Sequence, residues 1–491
     1  MLKPRLMFVW LCTGYLLLVF KLSFAAEPSP KPILRVEPQT HFAMINRMDV
    51  DAAERFVVTA ADDKTARVWD AQTGKLLQTL RPPIAEGYEG KLYAIAISPD
   101  AEWIAVSGFT GKDGANSHNI YIFQRSTGQL SARIRELPSS INHLVFSSNG
   151  QHLAVALGAG RGIRLYASPT WQELAQDKDY AADSYSVDFA QDGRILSTAD
   201  DGYLRLYDGQ LKLSKRYQTQ AGKQPFFARF SPDGKQVVVG FNDSTALELL
   251  TAHDLKPLRM IQEPALDNGD ISSVAWSQDG KRFYAGGRYD NGQGSPLLVW
   301  PATQATQPET WPLAQNTVMD IKPLREGGVL VGTADPALMR LDAQGKKRWQ
   351  QGAGILDFTW KEAEQEFAVS NDAKMINLHY AKSTDADISH AQQIWSVETL
   401  SLLATSPASL TTARHTAKGL QIENWQASTT PRLNGQPLPL KSNEVSYSLA
   451  IDAQGQKLCF RYSVVHPAFL IIKGEKQWAA RQWPYALGSE I

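Results

Sequence analysis

Residues 57–75 read VVTAADDKTARVWDAQTGK. A β-branched, apolar run (57–61) meets a tight acidic turn, and a second alternating run, ARVWD, leads into another turn at Gln72–Gly74. Alternation of this kind, bounded by Asp, Thr and Gly, predicts a pair of short antiparallel strands. A hairpin this small cannot shelter its own apolar faces, so it needs neighbours of similar build. Weaker versions of the phrase recur along most of the chain, and that recurrence decides the architecture.

Five segments share one design: LYAIAISPDAEWIAVSG from Leu92, INHLVFSSNGQHLAVALG from Ile141, SYSVDFAQDGRILSTAD from Ser184, PFFARFSPDGKQVVVGF from Pro225 and ISSVAWSQDGKRFYAGG from Ile271. Each joins two apolar strands through a polar turn. Gly150, Gly193, Gly234 and Gly280 supply the left-handed backbone such a turn needs. Ala101 stands in their place in the first copy, so that turn is expected to be either reshaped or strained. Third strands follow near Ala66, Asn119, Gly162, Tyr203, Leu247, Leu297 and Leu338, most with a fourth behind them. The units begin near Phe42, Leu92, Ile141, Ser184, Pro225, Ile271 and Thr317. The chain is therefore expected to be all-β, with seven four-stranded sheets packed radially as a closed β-propeller over residues 27–354. ILRV, Ile33–Val36, is expected to close the ring as the outer strand of the seventh sheet.

Past residue 354 the pattern fades into about three degenerate units. Residues 355–491 are expected to form a partial second propeller; enlargement of the first ring is the alternative. The open edge of an incomplete ring is a place where another chain can pair.

Residues 1–26 carry Lys3 and Arg5, an apolar run from Leu6 to Phe20 and small residues at Ser23, Ala25 and Ala26, the pattern of a secretory signal peptide. Cleavage is expected after Ala25; the alternative is a retained anchor, with a run short of the roughly 20 residues of a span. The address implied is periplasmic or secreted, in a bacterium, and no span is expected after signal removal. Of the two cysteines, Cys12 lies in this segment, and Cys459 sits in the strand-like KLCFRY as a small hydrophobe. Fifty acidic and fifty basic side chains give a net charge of zero, so no long-range field draws phosphate backbones and nucleic acid is not expected as a ligand.

Residues 41–90 resemble the repeats of WD-repeat propellers. In that family a histidine ahead of the first strand, a Ser or Thr on the second, an Asp in the next turn and a Trp on the third form a structural hydrogen-bonded tetrad. The resemblance implies these roles for His41, Thr59, Asp63 and Trp69. The fourth unit keeps Ser197, Asp201 and Tyr207, with no matching histidine evident. The run from Ile33 to about Gly354 looks like a bacterial group of extracytoplasmic WD-repeat proteins, some of which carry a caspase-like peptidase domain. That domain's histidine-glycine and cysteine pair is not found here, so no peptidase activity is implied.

Loops between second and third strands project from one face of such a ring together with those leading to the next sheet. Long polar insertions at SGFTGKDGANSHN, LGAGRG and GGRYDNGQGSP nominate Lys112, His118, Arg161, Arg288, Tyr289 and Asp290 as a partner-binding rim. Arg67, Arg164, Arg205 and Arg340 recur on third strands, either as part of the blade template or as a ring of cations around the axis. No spaced histidine or cysteine pair, calcium loop, phosphate-cradling glycine motif or nucleophile elbow is present, and neither metal nor cofactor is expected. The function expected is a non-enzymatic scaffold of the cell envelope that holds a protein or peptide. The alternative is a quinoprotein-like or other small-ligand enzyme using the central channel, suggested by AQTGKLL at Ala71 and DAQGKKRW at Asp342.

Overall fold

The computed structural model describes residues 39–352, apart from 86, 112–115, 264, 304–306 and 315, and beyond them the backbone of twelve strands between 366 and 482. The described residues contain strands and no helix. The chain divides into two compact units, 1–359 and 360–491.

In the first unit seven four-stranded sheets follow one another, each a meander in which consecutive strands are neighbours. Blade one spans 45–80, blade two 91–137, blade three 141–177, blade four 184–218, blade five 225–261, blade six 273–314 and blade seven 318–351. The core lies between blades rather than within them. Val58 and Val68 of blade one pack with Ile95 and Ile104 of blade two, and an apolar cluster of the same kind fills every later junction. The seventh cluster joins Leu330 and Leu338 of blade seven to Ile45, Met48 and Trp69 of blade one, so the sheets form a closed ring. Such non-directional burial is what a sheet with two apolar faces requires.

Ring closure differs from the expectation in one respect. The fourth strand of blade seven is Lys347–Gln351, paired antiparallel to Leu338–Leu341 through the short Asp342 turn. A hairpin partner joined by a five-residue turn, 342–346, takes the fourth-strand place that ILRV was expected to fill. Ile33–Val36 itself lies outside the described residues, as do the signal segment and its cleavage site. Among the described residues side chains hold the seam: Asp320 accepts from the Met48 amide at 3.0 Å, Lys322 pairs with Asp49 at 3.4 Å, and Arg340 donates to the Ala71 carbonyl at 2.5 Å.

The hairpin turns behave as their residues dictate. Gly150, Gly193, Gly234 and Gly280 take φ between 67° and 88°, and Ala101 takes the same left-handed shape at 64°. That turn is therefore strained rather than reshaped.

The second unit holds three four-stranded sheets, built from strands within 366–407, 415–437 and 446–482. Cys459 lies on the strand Lys457–Tyr462, opposite Ala450 and Ile471 in register.

Candidate functional site

His41, Thr59, Asp63 and Trp69 form one hydrogen-bonded chain. His41 Nδ1 meets Asp63 Oδ2 at 2.8 Å, His41 Nε2 meets Thr59 Oγ1 at 2.7 Å, and Trp69 Nε1 donates to Thr59 Oγ1 at 2.9 Å. The carboxylate fixes the ring proton on Nδ1, so Nε2 accepts from the Thr59 hydroxyl. All four residues are buried. Burial raises the Asp63 pKa, and the contacts with His41, Thr65 and Arg67 overcome it and hold the carboxyl below its usual range. The group fastens blade one's strands and offers no atom to a ligand.

Blade four uses a different chain that the sequence pattern did not reveal. Tyr180 takes the position of the histidine, with its hydroxyl 2.5 Å from Ser197 Oγ and 2.9 Å from the Tyr207 hydroxyl. Tyr207 in turn donates to Asp177 at 2.8 Å. Asp201 leaves this chain and forms a buried ion pair with Arg205 at 2.6 Å, while the Arg205 guanidinium lies 3.9 Å from the Tyr180 ring centroid. The tyrosine that precedes the strand in YAADSYSVDF is the sequence signal for this chain, a phenol standing where the WD pattern has histidine.

The recurring third-strand arginines do not ring the axis. Arg67, Arg205 and Arg340 are buried in the blades, and Arg164 is tied to Glu173 at 3.0 Å. The cations near the axis come from first strands instead: Arg47, Arg229 and Lys322. Arg47 of blade one lies 5.1 Å from the Phe226 ring and 4.5 Å from that of Phe227, both on blade five. Arg229 is 4.4 Å from the same Phe227 ring. Blades one and five are not neighbours, so these contacts reach across the axis. Burial lowers the Arg47 pKa to about 10. His143, between the Val187 amide and Arg229, is driven well below its ordinary range by burial and by Arg229, Arg47 and Lys322. The carboxylates here latch neighbouring blades: Asp49 accepts from Ile97 N at 3.1 Å, and Asp188 from Phe230 N at 2.9 Å. No set of three His, Cys, Asp or Glu side chains among the described residues could hold a metal ion.

The proposed rim separates into three groups. Arg161 and Asp290 are exposed on the loop-rich face and Tyr289 is half-buried there. Asp290 shapes its own loop, accepting from the Gly292 amide at 2.6 Å and the Gly294 amide at 3.2 Å. Arg288 is exposed but serves as a staple, pairing with the buried Asp270 and donating to the Asn242 carbonyl of blade five at 3.1 Å. Its replacement would strand a buried carboxylate, so it is not a clean surface position. His118 is corrected outright: it is 0% exposed, opens the strand His118–Gln124 and packs edge-on to Phe109 at 5.4 Å. The end of the insertion is already strand, which turns the imidazole inward. Lys112 lies outside the described residues.

On the same face Asp200 is half-buried, and its pKa is pushed up to about 6 by burial and by Asp183, Asp243 and Asp201. Beside it Tyr185 stacks on Phe226 at 4.9 Å. Spacing along the chain gave no hint that loops of blades four and five would bring these carboxylates together.

A closed ring of seven four-stranded blades with a buried His-Thr-Asp-Trp chain defines a WD-type propeller. Comparison with known proteins agrees: the WD domain, G-beta repeat family matches residues 33–70 and 180–208, the second match beginning at Tyr180. The chain carries WD40 repeats on a seven-bladed propeller. It is similar, at 25% identity over 162 residues, to WD repeat-containing protein SL1-17 of Schistosoma mansoni, which covers 33% of this chain and 49% of that protein. The match thus spans about half the length of that relative. Eukaryotic translation initiation factor 3 subunit I of Culex quinquefasciatus is 24% identical over 49% of this chain and 76% of its own. A guanine nucleotide-binding protein subunit beta of Nicotiana tabacum is 25% identical over 53% and 70%.

Proposed function

We propose that this chain is a non-enzymatic scaffold of the bacterial cell envelope that holds a protein or peptide partner on the loop-rich face of the ring. One observation carries the reading. The loops of that face are shaped in advance by their own hydrogen bonds, as in the Asp290 and Arg288 segments, so little ordering entropy opposes docking. WD40 propellers serve as protein-interaction platforms, and two of the relatives are named as subunits of larger assemblies. The charged, apolar and small residues of 1–26, and the resemblance of the ring to extracytoplasmic WD-repeat proteins, support the address.

Filling of the axis by Arg47, Phe226 and Phe227 argues against the channel as a substrate site. The turns that echo quinoproteins do fastening work: Trp349 packs on Gly74, where a Cβ would come within 2.7 Å of its ring, and Trp311 packs likewise on Gly345. The test is affinity capture from an envelope extract with the mature chain and with an Arg161→Glu, Gln293→Lys double variant. Both positions are exposed. Selective loss of one partner at unchanged melting temperature is expected. Unchanged capture by the double variant would place the interface elsewhere.

A further inference from the structure

The face opposite the long loops carries a cleft of about 470 Å³ where blade seven meets blade one. Its walls are Gln72, Glu326, Arg340, Asp342, Gln344 and Arg348. These positions come from turns between first and second strands and between third and fourth strands, together with the strands beside them, so they gather on one face and at one junction. We propose that this seam cleft docks an acidic peptide segment of a protein partner, with Arg340 and Arg348 receiving its carboxylates. It is a second site, on the face opposite the scaffold rim.

Three observations carry it. Arg340 is 4% exposed and held in place by the Ala71 carbonyl of blade one, so its guanidinium is rigid before any ligand arrives. Its other terminal nitrogen, Nη2, contacts Glu326 Oε1 at 2.6 Å, yet the Glu326 side chain is 56% exposed. Glu326 is thus an exposed carboxylate resting on a fixed cation, the contact an acidic ligand would make. The surroundings are basic as well: Lys346, Lys347 and Arg348 follow one another, and Lys75 and Arg325 flank the seam, all exposed. Against them stand Glu54, Glu326, Asp70 and Asp342. Asp342 is already engaged by the Lys346 and Gln344 amides and by Arg348 at 3.1 Å. Arg348, with 59% of its side chain exposed, can turn to a ligand while Asp342, 12% exposed, keeps the Gln344 and Lys346 amides as donors. Guanidinium forks suit carboxylates, and a fixed fork loses little freedom on binding.

The experiment uses the full chain and a fluorescein-labelled peptide of alternating Asp and Glu, read by anisotropy at low salt. Wild type is expected to bind it and to ignore the Lys-Ser peptide of equal length. Glu326→Gln removes the competing carboxylate and is expected to tighten binding about threefold or more. Arg348→Ala is expected to weaken it about tenfold, while Arg216→Ala, an exposed arginine on blade four, leaves it unchanged. Equal affinities for Glu326→Gln, Arg348→Ala and wild type would overturn the proposal. So would preference for the lysine peptide, or competition by inorganic phosphate as effective as by the unlabelled peptide, which would mark a small-anion site. Circular dichroism melts of each variant separate loss of binding from loss of fold.

Discussion

Thr59 is the node of the blade-one chain, and Thr59→Val tests it with almost no change of shape. The hydroxyl gives its proton to His41 Nε2 at 2.7 Å and accepts from Trp69 Nε1 at 2.9 Å. Valine removes both contacts at a site that is 0% exposed, where no water can replace them. Two buried polar groups lose their partner, at about 1 to 3 kcal/mol each. The added methyl returns about 0.8 kcal/mol through burial. The net expected loss is about 2 to 4 kcal/mol, close to the range for truncating Trp69 itself, about 3 to 5 kcal/mol, although Val removes no volume. Urea unfolding of the full chain, followed by far-UV circular dichroism and tryptophan fluorescence, measures it as a lower midpoint at unchanged slope. A loss below about 1 kcal/mol would mean that the His41 and Trp69 nitrogens find other partners and that the chain is not a fastening device.

Tyr180→Phe deletes the hydroxyl shared by Ser197 and Tyr207; because Tyr207 keeps Asp177, the expected cost is smaller, about 1 to 2 kcal/mol in the same assay, and a neutral result would sink the claim that tyrosine replaces histidine in blade four. Gly193 has φ of 88° and open space where a side chain would sit, so Gly193→Ala isolates backbone strain and is expected to cost about 1 to 2 kcal/mol, with no cost refuting the turn assignment. His143 has a folded pKa depressed below its unfolded value; the unfolded chain therefore takes up the extra proton as pH falls below about 6.5, and stability is lost there at up to about 1.4 kcal/mol per pH unit. The raised carboxyl of Asp200 acts in the opposite direction over lower pH, so the observable is the difference between wild type and His143→Gln, which is expected to have a flatter profile between pH 6.5 and 5. Identical profiles would show that His143 is not held neutral by its neighbours.

Much of the ring was legible because its information is local. The period-two alternation of 92–108 or 225–241 and the Asp-Gly turns state strands and hairpins within a dozen residues, and first strands begin within about three residues of their expected positions. What was not legible depends on which residues meet across blades. Arg47 and Phe227 are 180 positions apart, and nothing along the chain says that a first-strand arginine will lie on an aromatic ring of blade five. The third-strand arginines were the more visible pattern, yet repetition there reflects the blade template, which buries them. His118 misled for the opposite reason: the insertion that precedes it is polar, but the histidine belongs to the strand that follows. Tyr180 was not legible because a phenol with the donor and acceptor capacity of an imidazole stands where the WD pattern has histidine.

The seam between blades seven and one shows, among the described residues, what closes such a ring. Each junction needs two things: an apolar cluster to bury the facing sheets, and polar side chains that bind the next blade's backbone. Blade four gives Asp188 to Phe230, blade one gives Asp49 to Ile97, and blade seven gives Asp320 to Met48. The last of these joins residues 272 positions apart, yet chemically it is the same contact as the others. Loop-closure entropy grows only with the logarithm of length, so the longest closure costs about 2 kcal/mol more than a junction of some 40 residues. The additional ties at this junction, Lys322 to Asp49, Arg325 to the Ala52 carbonyl and Arg340 to the Ala71 carbonyl, are of the right order to offset that difference. The exposed partner that Arg340 keeps, Glu326, is not needed for that closure. It is therefore the part of the seam that can be exchanged for a ligand while the ring stays shut.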